Sequence, residues 1–191
     1  MESLQARAEE HLRVIRAAMQ GTVLFTALPG WGGVIMGAVG VIAALAAAPT
    51  TDPQQWVVVW LSAASVAVPV GAFTMWWKAS SAGVNLYAGT AGMFVGCLAT
   101  PIAAGAILTA ALIGQQAYTV LPATWLTLYG TAAVVGGAFS VRLVPPMGVA
   151  FMVLGALAAF APLAIGNLLM GAGFGLLHWA VGLVIVRRFG G

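Results

Sequence analysis

PATWLTLYGTAAVVGGAFSVRLVPPMGVAFMVLGALAAFAP, residues 122–162, holds two apolar runs and a single formal charge, Arg142. The runs read as spans near 121–141 and 146–163, with the turn at Pro145-Pro146. Each is about 20 residues long, which an α-helix needs to cross about 30 Å of hydrocarbon. Two such runs with one arginine in the turn between them form a transmembrane helical hairpin, and the positive-inside bias puts that turn in the cytoplasm.

The rest of the chain follows the same pattern. Further spans fall near 30–48, 54–77, 90–113 and 167–187. They are separated by Pro49 to Pro53 with Asp52, by Ser80 to Asn85, by Gly114 to Pro122 and by Pro162 to Gly166. Arg7, Arg13 and Arg16 precede the first span, Lys78 follows the second, and Arg187 and Arg188 follow the sixth. The odd turns, near Asp52, Gln115 and Pro162, carry no basic residue. The fold class expected is therefore all-α: a polytopic membrane helix bundle of six transmembrane helices, arranged as three two-helix hairpins, with both termini in the cytoplasm.

Composition agrees. The 191 residues are 62% hydrophobic and 6% charged, with mean hydropathy +1.03. Soluble domains carry about 25% charged residues. Short turns leave no room for a soluble catalytic domain, and the +3 net charge follows from topology, with no nucleic-acid signature. Cys97 is the single cysteine and reads as a small buried apolar residue. The first apolar run follows a charged helix, which is unlike a cleavable signal peptide. Compact Ala/Gly-rich spans point to a multi-pass protein of a bacterial inner (cytoplasmic) membrane.

Residues 2–19 read as an amphipathic cytoplasmic helix. Leu4, Ala8, Leu12, Ile15 and Met19 form one stripe; Glu2, Glu9, Arg13 and Arg16 lie opposite. Two regions follow: 1–27, this helix and a linker, and 28–191, the six-helix domain. Trp31, Trp56, Trp60, Trp76, Trp77 and Trp125 fall near span ends and read as interfacial anchors.

Gly37, Gly96 and Gly155 recur at intervals of 59 residues, and GAFT at Gly71 is echoed by GAFS at Gly137. This spacing predicts a triplicated hairpin with each of the three glycines facing a neighbouring helix at equivalent depth. Gly33 with Gly37, Gly92 with Gly96 and Gly171 with Gly175 are small-xxx-small pairs, suited to close helix packing where lipid supplies no hydrophobic drive.

No Asp, Glu, Lys or Arg lies well inside a span, which argues against ion-coupled pumps, proton relays and membrane-embedded hydrolases. His178 is the one imidazole near a span midpoint. Tyr129 and Thr127 reach comparable depth and would form a polar spot with it if the fourth and sixth spans touch. His178 then has three readings: a hydrogen-bonded core histidine, a lining group of a solute path, or a cofactor contact. No cofactor is predicted. Haem in particular lacks a second histidine, since His11 lies in the N-terminal helix.

PATWLTLYG, VVGGAFSVRLVPPMG, FMVLGALAAFAP, GFGLLHWAVG and RRFGG, with EEHLRVIRAAM and FTALPGWG, resemble an uncharacterised family of small bacterial six-span membrane proteins. That resemblance implies the six-span fold and brings no activity, ligand or residue role. In its hairpin triplication the chain is also similar, more loosely, to acid-resistance membrane proteins of the HdeD type, an architectural likeness only. The function expected is an integral membrane protein without enzymatic activity. It is an accessory or assembly subunit that packs in the lipid bilayer against other membrane subunits or as a homo-oligomer. The alternatives are a passive channel for a small neutral solute, and a haem- or quinone-associated electron carrier.

Overall fold

The structure is a computed structural model that describes residues 9–11 and 25–189. Residues 9–11 are helical and exposed; the rest of the expected amphipathic helix lies outside the described residues. The chain then forms α1 (Gly30–Ala47), α2 (Pro53–Ser81), α3 (Gly89–Gly114), a 3₁₀ turn (Tyr118–Val120), α4 (Leu121–Gly137) and α5 (Val144–Ala158). It ends in one rod made of α6 (Leu163–Met170), a π-helical stretch (Gly171–Leu177) and α7 (His178–Phe189).

Local chemistry sets the boundaries. Asp52 accepts the Gln54 backbone N–H at 2.9 Å and Pro53 opens α2, a favourable N-cap followed by a residue with no N–H to satisfy. Pro122 and Pro145 occupy the first turns of α4 and α5. The α2–α3 turn uses Gly83 and Gly89 at φ of 67° and 58°, where a side chain would be strained. Pro69 and Pro101 are accommodated inside α2 and α3.

Five of the helical segments are long and apolar enough to cross a membrane: α1, α2, α3, Tyr118–Gly137 and Leu163–Arg188. At 29 residues α2 is about 44 Å long. The remaining apolar helix, α5, has 15 residues. At about 22 Å it falls short of a hydrocarbon core of about 30 Å. The span expected at 146–163 thus ends five residues early. The chain turns through Ala159–Ala161 into Pro162, a proline that disfavours helix at the residue before it.

The helices form two layers. In one, α1 lies between α2 and the final rod; in the other, α4 lies between α3 and α5. Hence α1 with α2 and α3 with α4 pack as sequence neighbours, whereas α5 and the final rod diverge after their shared turn. The larger contacts of these two elements are with others, α5 with α4 and the rod with α1, although α5 and the rod still meet where the Phe151 and Phe174 rings lie 5.0 Å apart. Glycines explain this preference. A Cβ on Gly148 would lie 2.6 Å from the Gly130 carbonyl oxygen, and one on Gly37 would lie 2.5 Å from the Trp179 nitrogen. Those backbones are already in contact, and only hydrogen fits between them.

Two clusters form the interior. Trp56, Trp60, Leu126, Phe151 and Met170 centre the one nearer the Asp52 end. Phe25, Phe94, Ala133, Val144 and Ile185 centre the one nearer the end that bears Lys78, Arg142, Arg187 and Arg188. The linker takes part. The Phe25 N–H donates to the Phe139 carbonyl at 2.8 Å, Ser140 Oγ donates to the Phe25 carbonyl at 2.7 Å, and the Phe25 ring lies 5.2 Å from that of Phe94. Lys78 Nζ donates to the Leu28 carbonyl at 3.0 Å. Phe25, Ala27 and Leu28 are thus packed with the bundle.

Candidate functional site

The last rod and α4 carry the polar pair at the centre of the bundle. The π-helical stretch holds three glycines, Gly171, Gly173 and Gly175. Each meets a neighbour: a Cβ on Gly171 would touch the Ala44 methyl at 2.8 Å, one on Gly173 would touch Leu126 and Phe151, and one on Gly175 would touch Val41 at 2.9 Å. The rod passes close to α1, α4 and α5 at this stretch, where its backbone takes the i→i+5 register. The His178 N–H then reaches the Gly173 carbonyl, and the same oxygen lies 3.4 Å from His178 Nδ1.

On the other side of the ring, His178 Nε2 lies 2.6 Å from Tyr129 Oη. One tautomer satisfies all four groups. With the proton on Nδ1, the ring donates to Gly173 and accepts the tyrosine hydroxyl proton at Nε2; the opposite tautomer would set a lone pair against a carbonyl. The pair sits in an aromatic box. Phe151 lies 4.8 Å from the Tyr129 ring, and Phe174 stacks on His178 at 13° with centroids 6.0 Å apart. His178 is 5% exposed.

Thr127 does not join this spot. Its hydroxyl donates to the Ala123 carbonyl one turn back on α4, and its methyl faces the hydrogen of Gly155. The expected trio is therefore a pair. A hydroxyl on a helix has a carbonyl within reach four residues earlier, and that local bond wins over a distant imidazole.

A second polar knot escaped the sequence reading. Asn167 Oδ1 accepts from Trp56 Nε1 at 3.0 Å and from Trp60 Nε1 at 2.9 Å, while Nδ2 donates to the Ala44 carbonyl at 3.0 Å. One amide thus ties together α1, α2 and the final rod. Trp56 and Trp60 are 2% and 5% exposed, so these two indoles are not interfacial anchors. Trp125 stacks on Trp56 at 5.7 Å and donates to Thr109 Oγ1 at 2.7 Å. Trp31, Trp76 and Trp77 are exposed. The available signal was the four-residue spacing of Trp56 and Trp60, which puts both indoles on one helix face.

The glycines divide. Gly33 faces Gly182, Gly37 faces Trp179, Gly155 faces Thr127, and Gly171 and Gly175 face α1. Gly92 instead packs on the backbone of Tyr87 in its own lead-in turn. Gly96 is exposed with nothing within 4 Å of its Cβ position. The 59-residue spacing therefore does not mark three equivalent contacts within the chain, and neither Gly92 nor Gly96 packs on another of its described helices. Their helix, α3, packs on α4 through Ala91, Phe94, Gly105 and Thr109 instead.

Among the described residues every buried side-chain nitrogen and oxygen has a hydrogen-bond partner. Each ring nitrogen of His178 has a partner, Tyr129 Oη at Nε2 and the Gly173 carbonyl at Nδ1, so the pair fixes the position of both rings. Both knots join elements far apart in sequence, which is what fixes helix register where apolar packing alone is non-directional. No protein-family model, curated protein or solved structure matches this chain.

Proposed function

We propose that this is a six-span protein of a bacterial inner membrane, with both termini cytoplasmic, that acts without catalysis as an accessory or assembly subunit packing against partner membrane helices. The six-span topology is supported by the collection of Lys78, Arg142, Arg187 and Arg188 at one end of the bundle. On this reading α5 crosses a locally thinned bilayer, which a short span can impose at modest cost.

The observation that carries the subunit reading is the outward face of α3. Gly96, Thr100 and Ala103 fall on one side of that helix and are all exposed. Only 6% of the apolar window of α3 is buried, against 50% for Tyr118–Gly137. Lipid gains nothing from glycine, which lowers helix stability by about 1 kcal/mol relative to alanine. A partner helix gains close approach.

A photoreactive side chain placed at Gly96 or Ala103, in native membranes, tests this. The expected result is a discrete protein adduct at these two sites. Ala103→Leu should abolish the Gly96 adduct, and a probe at Leu168, exposed on the final rod, should give lipid only. Lipid adducts alone at all three sites would end the subunit reading.

A further inference from the structure

The two helical layers meet chiefly away from the basic end: α6 meets α4 and α5, the π-helical stretch meets α5, and the 3₁₀ turn meets α2. Toward the basic end α7 packs on α1, and among the described residues α2 and α3 make no comparable contact. The non-helical stretch at residues 25–28 fills the space between the layers there. Phe25, Ala27 and Leu28 share one buried cluster with Ala79 and Ile185 of the first layer and with Phe94 and Ala133 of the second.

This strap is held at few points. Its hydrogen bonds to the bundle run to the Phe139 carbonyl, the Ser140 hydroxyl and the Lys78 ammonium, all at the basic end. Ser140 is 2% exposed, and its hydroxyl is paired with the strap. Just after the strap the chain is clamped, since a Cβ on Gly30 would lie 2.6 Å from the Val186 nitrogen. Opening a helix breaks its whole ladder, whereas opening the strap breaks a few bonds that water at this end can replace.

A path leads inward from the strap. On α4, Ala133 lies one turn from Tyr129 on the same face, about 6 Å along the axis. On the rod, Ile185, Val181 and His178 share a face, and Ile185 to His178 covers about 10 Å. Val181 packs against both interior clusters. The seam under the strap therefore runs down to the hydrogen bond between Tyr129 and His178.

We infer that residues 25–28 form a displaceable plug: when they withdraw, the seam between the layers opens at the basic end and water reaches Tyr129 and His178. The layers stay joined further in, by the stack of Trp56 on Trp125 and by the Phe151 and Phe174 rings. The plug lies apart from the α3 face and needs no partner subunit.

The test uses the full chain in neutral detergent, with Cys97 replaced by serine and one reporter cysteine at a time. Ala133→Cys and Val181→Cys report on the seam. Ala47→Cys, at a site 2% exposed in the other cluster, reports on the rest of the bundle. The rate of reaction with a small cationic methanethiosulfonate is measured. Phe25→Ala removes the ring that fills the seam and should raise the rate at both seam positions roughly 100-fold, with Ala47→Cys unchanged. Ser140→Ala removes one hydrogen bond, keeps every apolar contact of the strap, and should raise both seam rates roughly 5-fold. It carries the test alone if Phe25→Ala does not fold. An increase confined to the two seam positions, under either variant, supports the plug. Equal increases at all three positions show a loosened bundle and overturn it. So do seam rates that neither variant changes, and an increase at Ala133→Cys that stops short of Val181→Cys.

Discussion

Replacing Asn167 with leucine removes all three contacts of the amide that joins α1, α2 and the final rod. Trp56 and Trp60 then hold two buried indole N–H groups without an acceptor. Hydrogen bonds between membrane helices average about 0.6 kcal/mol, so three lost bonds set a floor of about 2 kcal/mol. An orphaned buried donor costs about 1–3 kcal/mol, so two of them bring the upper estimate to about 6 kcal/mol. The expected loss lies between these, about 2–4 kcal/mol, because the indoles regain some partners in the unfolded, membrane-inserted state. The assay is reversible unfolding in mixed micelles of neutral detergent and dodecyl sulfate, followed by helical circular dichroism so that indole fluorescence does not confound the readout. A cycle with Trp60→Phe isolates one bond, for which the expected coupling is about 0.6–1.7 kcal/mol. An Asn167→Leu variant within about 0.5 kcal/mol of the unmodified protein, or a coupling indistinguishable from zero, would show that the knot is not a determinant of stability; that threshold is set by the uncertainty of additivity.

Tyr129→Phe keeps the aromatic box and leaves His178 Nε2 without its donor; it should destabilise the fold by about 1–3 kcal/mol in the same assay, and adding His178→Leu should recover part of that loss, since removing both partners is nearly neutral. Gly148→Ala must push its new methyl into the Gly130 carbonyl and should destabilise by about 1–3 kcal/mol, whereas Gly96→Ala meets open space and should stabilise the isolated chain by up to about 1 kcal/mol; equal effects at the two sites would contradict the packing described. In a Cys97→Ser background, cysteines at Thr51 and Gln116 should react with an impermeant thiol reagent on intact cells and one at Ser80 should not; reaction at Ser80 would overturn the six-span, ends-inside topology.

The helical character and approximate position of the apolar segments and the turns between them are legible in the sequence, because each depends on local properties. A run of apolar residues is helical in lipid whatever its neighbours, since its backbone has no other way to satisfy its hydrogen bonds. Asp52, Pro53, Gly83 and Pro162 mark turns through their own backbone preferences. The pairing of Tyr129 with His178 was within reach for a similar reason, since both lie at comparable depth and a buried imidazole requires partners.

The lateral arrangement is another matter. In a soluble helix the polar face identifies the buried one. Here lipid and protein interior are equally apolar, so no periodicity shows whether Trp60 faces the headgroups or Asn167, whether Gly96 meets a helix as Gly37 does, or whether α5 pairs with the final rod or with α4. Those outcomes were decided by contacts between distant segments: Gly130 against Gly148, Gly37 against Trp179, and one amide shared by two tryptophans. The sequence by itself determined which segments are helical, apolar and bounded by charge. Only tertiary structure decided which faces meet, because close backbone approach and hydrogen-bond geometry depend on pairs of helices and are written in neither helix alone.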